Sequence, residues 1–361
     1  MRKKTWILYL VLAAALVALA LYARHHIRFN WGVFAEQLKL ADWRMIGLGV
    51  LLISLGYVVR AVRWVLFLKP TAKIPLFSRA WFHVLGAQII GYTGVALVGR
   101  AADLMRPYLV ARRLRLPLSS QVAVYVVERM FDLGTMALLF STVLIFAPGR
   151  ATLPEHEKLT LLAEFGLAGT AGVAILATAV RMRGKAIAAI AERVFGKFSE
   201  SLAASVAAKI TTFRDGLDML ASVRDVFSAL LLSLLMWGLI TFAYLVSIRA
   251  FVDSPQLHSL TLAQCIVLMA AGMVVSLFQL PVVGWFTQIA GLTLALQQLF
   301  GAAWEPALGC SAVLLIVTFL CVVPTGIIWA RVDQVSFRKV TKESSAQGAH
   351  TLTAPEPVSE P

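Results

Sequence analysis

The sequence predicts an all-α polytopic membrane protein with about eight transmembrane helices and one or two re-entrant or broken helices. Three observations predict this class. Of the 361 residues, 59% are hydrophobic and only 14% are charged, and the mean hydropathy is +0.80. The apolar runs are long enough to cross a hydrocarbon core of about 30 Å. Short segments rich in Lys and Arg separate these runs, as is typical of cytoplasmic loops.

The clear apolar spans follow one another along the chain at residues 6–23, 45–68, 120–147, 159–180, 226–250, 262–280 and 307–330. The first follows a basic N-terminus. Its apolar run of 17 residues exceeds the roughly 7–15 residues usual for a signal peptide, so we expect an uncleaved helix.

One integral membrane domain is expected to occupy residues 1–338. It includes an amphipathic helix on the cytoplasmic face at about residues 185–218, where apolar side chains recur every three or four positions. Residues 339–361 are rich in Ser, Ala, Pro, Glu and Thr and show no periodicity. This composition predicts a disordered tail.

Two further segments combine apolar residues with helix-breaking and polar ones. They are 80–98, which contains His83, Gly86, Gln88, Gly91 and Gly94, and 281–300, which contains Pro281, Gly284 and Gln288. Gly and Pro interruptions of this kind are typical of helices that break or turn back inside a membrane. We therefore interpret both segments as candidates for re-entrant helices.

The distribution of basic residues favours a re-entrant 80–98. Segments 99–118 and 181–225 are rich in Lys and Arg, whereas 251–261 has neither. If 80–98 turns back, both basic segments lie in the cytoplasm and 251–261 lies outside, as the positive-inside rule requires. The N-terminus and the C-terminal tail are then cytoplasmic, and we expect a prokaryotic inner membrane.

Neither the charge nor the cysteines predict other functions. The formal net charge is +14, but the basic residues lie beside apolar runs and no separate basic domain exists, so nucleic-acid binding is not expected. Cys265, Cys310 and Cys321 all lie in apolar runs and are read as buried hydrophobic residues. No metal site, cofactor or catalytic motif is indicated, so we do not expect an enzyme.

Three charges interrupt the span at 120–147, namely Glu128, Arg129 and Asp132. An ionised side chain at the centre of a bilayer costs roughly 3 kcal/mol, so this group must face protein or water. Glu128 and Asp132 share a helical face, and Arg129 can pair with Asp132. The group is either a charge-paired structural contact between helices or part of a substrate pathway, and the sequence favours neither.

A second group of charges follows the ambiguous segment 80–98. Arg100, Asp103 and Arg106 are spaced by three, so one side of a helix would carry two guanidiniums around a carboxylate. Guanidinium forks suit phosphate oxygens. Spacing alone slightly favours the alternative, an interfacial basic loop with one local salt bridge.

Other polar residues have simpler interpretations. Arg60 and Arg63 lie near the end of the span 45–68, where we favour side chains that snorkel to the interface over side chains that line a cavity with the acidic pair. His83 and Gln88 could meet a head group, but residues of this kind more often bind freed backbone groups.

The sequence resembles the membrane region of lysylphosphatidylglycerol synthases, also called flippase-like proteins. The resemblance covers about residues 40–330. It rests on three motifs, Gly99-Arg100-x-x-Asp103-x-x-Arg106, Glu128-Arg129-x-x-Asp132 and Leu280-Pro281-x-x-Gly284. The chain departs from the usual pattern at Val98 and Ala102, where the family has Pro and Gly. Gly284 is followed by Trp285-Phe286-Thr287-Gln288 instead of further glycines and a Glu.

The resemblance implies a stand-alone translocating module without the soluble aminoacyl-transferase domain. Its expected partner is a membrane lipid with an anionic or lipid-linked head group. The expected substrate-binding residues are His83, Gln88, Arg100, Asp103, Arg106, Glu128, Arg129, Asp132, Pro281, Gly284 and Gln288. The alternative function is a scaffold that transports nothing and binds lipid or a partner enzyme.

Overall fold

The computed structural model describes residues 30–72, 80–99, 102–146, 156–196, 199–200, 203–207, 222–276, 283–337, 340 and 343. All regular secondary structure within these residues is helical. The helices are α1 (Trp31–Leu40), α2 (Trp43–Ala72), α3 (Ala80–Val98), α4 (Met105–Leu114), α5 (Leu118–Phe146), α6 (His156–Gly196), α7 (Val223–Arg249), α8 (Pro255–His258), α9 (Leu262–Ser276), α10 (Val283–Phe300), α11 (Trp304–Leu315) and α12 (Val322–Val332), with a π-helical segment (Ile316–Leu320) joining the last two.

Five stretches of described helix are long and apolar enough to cross a membrane: Trp43–Leu68, Ala80–Val98, Leu118–Phe146, Arg224–Arg249 and Trp304–Val332. Four of them confirm the predicted spans at 45–68, 120–147, 226–250 and 307–330 as long apolar helices. The chain is therefore an all-helical, multi-pass membrane protein, while the total of eight spans stays a prediction.

The remaining predicted segments are only partly described. The span at 6–23 lies outside the described residues. The span at 159–180 falls within α6, which continues to Gly196 through a kink at Arg183 (φ −132°, ψ 27°), so the first part of the predicted amphipathic helix is helical. Of the predicted tail, Val340 is buried and Glu343 accepts a hydrogen bond from Tyr108.

The long helices alternate in direction. Helix α2 is antiparallel to α7, because Gly49 lies against Ser247 near one end while Arg63 bonds Ser233 near the other. It is also antiparallel to α5, since Trp64 donates to Gln121 in the first turn of α5, while Leu144 in the last turn packs with Ala263, just after the Arg249–Leu260 contact that follows Ser247. We refer to the two ends of the bundle as the Trp43 end and the Ala72 end, after the first and last residues of α2.

Helices α3 and α4 form a hairpin that leaves and returns at the Ala72 end. Helix α3 begins seven residues after α2 ends, and Tyr92 near its middle stacks on Tyr57 at 5.2 Å. Helix α4 runs back beside it, so that the Arg113 side chain donates to the His83 carbonyl at 2.9 Å. The ten residues of α4 span only about 15 Å. This path is the one that a re-entrant 80–98 requires. Its depth in the membrane stays a prediction, because Ala80–Val98 is also long and apolar enough to cross.

The helix α3 itself is continuous, contrary to the expectation of a broken helix. Its glycines serve close packing instead. A Cβ on Gly91 would collide with the Arg106 side chain, and one on Gly94 would lie 2.6 Å from the Met105 sulfur. The turn follows α3 at Gly99, whose φ of +85° lies in the left-handed region that glycine adopts without strain.

A second hairpin, α9–α10, leaves and returns at the Trp43 end. A Cβ on Gly291 would meet Val275, and one on Gly272 would lie 3.2 Å from Leu292, so the two helices are antiparallel. Of the predicted span 262–280, residues 262–276 form α9, which covers about 22 Å, and residues 277–280 lie outside the described part of the chain. The segment 281–300 is the returning arm of this hairpin, and its first two residues lie outside the described part of the chain.

The described part of the bundle contains two units in which long helices flank a helical hairpin, and the two units run in opposite directions through the bundle. Helices α2 and α5 flank the hairpin α3–α4, whereas α7 and α11–α12 flank the hairpin α9–α10. The two hairpins enter from opposite ends, which brings Asp103 from the first and Gln288 from the second to one cavity inside the bundle.

Candidate functional site

Two carboxylates lie one turn apart in the interior of the bundle, on the face of α5 toward α2. Glu128 is 1% and Asp132 is 5% exposed. Arg60 Nη1 lies 2.8 Å from Glu128 Oε1 and 3.2 Å from Asp132 Oδ2. Arg63 Nη2 lies 2.7 Å from Asp132 Oδ1, and its Nη1 donates to the Ser233 hydroxyl at 2.6 Å. Three helices are therefore joined through this group.

Glu128 is the centre of the group, because its Oε1 lies within 3.4 Å of four guanidiniums. Arg129 Nη2 lies 2.9 Å away, and Arg63 Nη2 and Arg106 Nη1 lie 3.4 Å away. Arg129 also reaches Asp132 at 2.9 Å. With Arg60 the group holds four positive and two negative charges, so it carries a net charge of +2.

The favoured interpretation of Arg60 and Arg63 as snorkelling side chains is wrong. Their exposed fractions are 9% and 0%, and both pair with the acids on α5. Burying Glu128 and Asp132 without cations would cost free energy. Arg60 and Arg63 lie at the same depth in the bundle as these carboxylates and pair with them. The alternative interpretation, in which they meet the acidic pair at an internal cavity, is the one the structure supports.

Tyrosine rings support the guanidiniums from the side of α3 and α5. Tyr92 lies under Arg106 at 4.5 Å and under Arg60 at 5.3 Å. Tyr125 lies under Arg106 at 4.9 Å and under Arg129 at 5.5 Å. Arg106 also donates to the Tyr92 hydroxyl at 2.9 Å. Cation–π contacts of this kind contribute about 0.5–2 kcal/mol each and fix the planes of the guanidiniums.

A cavity of about 340 Å³ adjoins this group. Its polar wall contains Arg60, Asp103 and Arg129 together with several tyrosines. Its apolar wall comes from α7, α9 and the π-helical segment, with Met236, Trp237, Ile240, Met269, Met273 and Phe319. The cavity therefore offers charged and apolar surfaces side by side.

The π-helical segment supplies Thr318 and Phe319 to this cavity. It directly precedes α12, in which Pro324 has no N–H to donate to the carbonyl four residues before it. The backbone hydrogen bonds before it change from a spacing of four residues to five, and the Cys321 N–H donates to the Ile316 carbonyl at 2.7 Å. Single π-helical turns are frequent at functional sites because they reorient side chains locally.

Several buried polar atoms in this region have no hydrogen-bond partner among the described residues. They include Nε of Arg63, Arg106 and Arg129, Oε2 of Glu128, Nε2 of Gln88 and Nε1 of Trp237. A buried donor without a partner costs free energy of about 1–3 kcal/mol. Arg129 and Trp237 belong to the cavity wall, where a bound ligand could accept from them.

The sequence-predicted site residues divide into four sets. Asp103, Arg129 and Gln288 line the cavity. Glu128, Asp132, Arg106 and Gln88 lie behind the wall, and Gln88 accepts from Arg106 at 3.3 Å. His83 and Gly284 are not part of the wall, and Arg100 and Pro281 lie outside the described residues.

Some cavity residues carry no clear signal in the sequence. Tyr57 precedes Arg60 by three positions, so helical periodicity could have placed both on one face. Nothing in the sequence distinguishes Trp237 and the three methionines from ordinary apolar residues of a membrane helix.

The return arm of the first hairpin is anchored at the Ala72 end. Arg113 forms an ion pair with Asp333, and burial lowers the pKa of its guanidinium. The Tyr108 hydroxyl donates to Glu343 at 2.9 Å. Burial and this carboxylate raise the pKa of Tyr108. Both contacts connect α4 to the segment after α12.

Comparison with known protein families shows which family shares this sequence. Residues 6–326 match the family model described as "Lysylphosphatidylglycerol synthase TM region". The chain belongs to this family. The match includes both hairpins, the arginine–carboxylate group and the cavity, and it agrees with the resemblance seen in the three motifs. A search of curated proteins gave no match.

Proposed function

We propose that this protein moves a lipid with an anionic head group between the two leaflets of a membrane. The observation that carries the proposal is the position of Arg60 and Arg129 on the wall of a cavity inside a membrane-spanning bundle. A charged head group cannot cross hydrocarbon unaided, because removing its water is prohibitive. A cavity with guanidiniums lowers that barrier.

The surplus of charge supports an anionic ligand. Glu128 and Asp132 neutralise only two of the four guanidiniums, and Asp103 on the cavity wall offsets one more. The described site therefore keeps a net charge of +1, which attracts an anion. Arg129 is the most accessible of the four, with 38% of its side chain exposed. Its fork is suited to a pair of phosphate oxygens. Arg63 and Arg106 are buried behind the wall and hold the carboxylates and Tyr92 in place.

The opposed hairpins support movement between the leaflets. Asp103 lies in the turn of the hairpin from the Ala72 end, and Gln288 lies in the hairpin from the Trp43 end. A shift of either hairpin would open the cavity toward its own end of the bundle.

The proposal needs no enzymatic activity and no cofactor. It places the protein in a prokaryotic inner membrane with its basic Ala72 end in the cytoplasm, as the positive-inside rule favours.

The test measures lipid movement in liposomes that contain purified protein. An anionic phospholipid with a fluorophore on one acyl chain is included, and dithionite added outside bleaches the outer leaflet. Wild-type protein should expose the inner pool to bleaching. Arg129→Gln should slow this at least tenfold, equivalent to about 1.4 kcal/mol. Arg331→Gln, which removes an exposed charge at the end of α12, is the control and should behave as wild type.

Two results would contradict the proposal. The first is wild-type liposomes that bleach no faster or further than protein-free ones. The second is an Arg129→Gln variant as active as Arg331→Gln. Lipid binding by wild-type protein without any transfer would favour the scaffold function instead.

A further inference from the structure

Trp237 lines the cavity, and its indole N–H is an unused hydrogen-bond donor. The side chain is nine-tenths buried, and its Nε1 has no partner among the described residues. Leaving a buried N–H unbonded is costly, so residues of this kind usually have a partner when the site is occupied. An acceptor on the bound ligand would provide one.

The position of Trp237 shows which part of a ligand it would meet. Helices α2 and α7 are antiparallel, with Arg63 bonded to Ser233, so Trp237 lies within about one helical turn of the level of Arg60. It shares the α7 wall with Met236 and Ile240, and the α9 wall adds Met269 and Met273. The donor therefore lies beside the apolar surface, at the level of the guanidiniums.

We infer that Trp237 donates its N–H to an ester carbonyl of a glycerolipid, and that the methionine-lined wall holds the first carbons of that acyl chain. This inference rests on the proposed function and adds a second subsite to it. In such a lipid the phosphate, the ester and the alkyl chain follow one another over a short distance. The cavity offers guanidinium, indole N–H and apolar surface for them.

The size and composition of the cavity fit this ligand. Its volume of about 340 Å³ corresponds to roughly eleven water molecules at about 30 Å³ each. That space holds a head group, the glycerol and the start of one chain, while the rest of both chains stays in the bilayer. Methionine side chains are flexible and polarizable, so they accommodate alkyl chains of different conformation.

The test compares an ester lipid with its ether analogue, which has no carbonyl to accept the bond. Dioleoyl phosphatidylglycerol and the corresponding dialkyl ether are added together in equal amounts to detergent-solubilised protein. Native mass spectrometry gives the ratio bound. Wild type should favour the ester about fivefold, the value expected for one neutral hydrogen bond of about 1 kcal/mol. Trp237→Phe should bind both equally.

The control is Trp43→Phe, which makes the same change at a side chain that is 59% exposed and far from the cavity. It should keep the fivefold preference. A wild-type ratio near one, or an unchanged ratio in Trp237→Phe, overturns the inference and leaves the proposed function standing. Failure of wild type to bind either lipid overturns both. If Trp237→Phe does not fold, a wild-type ratio near one still overturns the inference.

Discussion

Arg60 on α2 and Glu128 on α5 are 68 positions apart in sequence and meet at 2.8 Å in the interior of the bundle. Both are nearly inaccessible, with exposed fractions of 9% and 1%. The contact fixes the register of two membrane-spanning helices. It also holds Arg60 at the cavity wall, so the same pair serves packing and the site.

Neutralising Glu128 should destabilise the fold. Glu128→Gln leaves four guanidiniums around one remaining carboxylate, and breaking a buried ion pair from one side costs about 3–5 kcal/mol. The free energy of unfolding, measured by titrating the micelle-bound protein with denaturing detergent, should fall by that amount. Glu192→Gln, at an exposed position near the end of α6, should change it by less than about 0.5 kcal/mol. Equal stability of the two variants would show that the group does not hold the helices together.

The sequence predicted part of the charged site well. Glu128, Arg129 and Asp132 stand out because the cost of ionised groups in hydrocarbon demands a special environment. The same argument could not identify their partners. An arginine near the end of an apolar helix fits a snorkelling side chain as well as a buried ion pair, and only the packing of α2 against α5 decides between them.

The chain path was predicted in outline. Gly and Pro residues indicated that 80–98 and 281–300 turn back, but they did not show where. In α3 the glycines Gly91 and Gly94 allow α4 to approach, and the turn comes only at Gly99.

Arg63 and Arg129 should respond differently to the same substitution. Both pair with Asp132, but Arg63 is 0% and Arg129 is 38% exposed at the side chain. Arg63→Gln should therefore lower the free energy of unfolding by several kcal/mol, since it leaves Asp132 buried with one partner fewer. Arg129→Gln should keep most of the stability and lose lipid movement. Unfolding in denaturing detergent and transfer in liposomes are measured for both, and a similar profile for the two variants would contradict the division into supporting and ligand-binding arginines.

Gly91 should not tolerate a side chain. A methyl group there would collide with Arg106 Cγ and push the first hairpin apart, and overpacking of this kind costs about 1–3 kcal/mol. Gly91→Ala should lower the midpoint of thermal unfolding and impair lipid movement. Gly169→Ala makes the same change in α6, where nothing lies within 4 Å, and should be neutral or stabilising by up to about 1 kcal/mol. A stabilised Gly91→Ala would show that α3 and α4 do not pack as described.

The first hairpin, α3–α4, predicts the sidedness of three positions. Because α4 returns to the Ala72 end, α5 begins there, and Ser119 should share a face of the membrane with Ser199 beyond α6. Asp253 follows α7 at the Trp43 end and is exposed, so it should lie on the other face. Single cysteines at these positions, in a background with Cys265, Cys310 and Cys321 replaced by Ala, are labelled with a membrane-impermeant maleimide in sealed cells and in inverted vesicles. We expect Ser119→Cys and Ser199→Cys to react only in inverted vesicles and Asp253→Cys only in cells. With the N-terminus in the cytoplasm, the reversed pattern, in which positions 119 and 199 react in cells and position 253 in inverted vesicles, would mean that α3 crosses the membrane without α4 returning. It would remove the hairpin on which the cavity depends. Labelling of positions 119 and 199 from opposite faces would instead mean that α5 and α6 do not both cross.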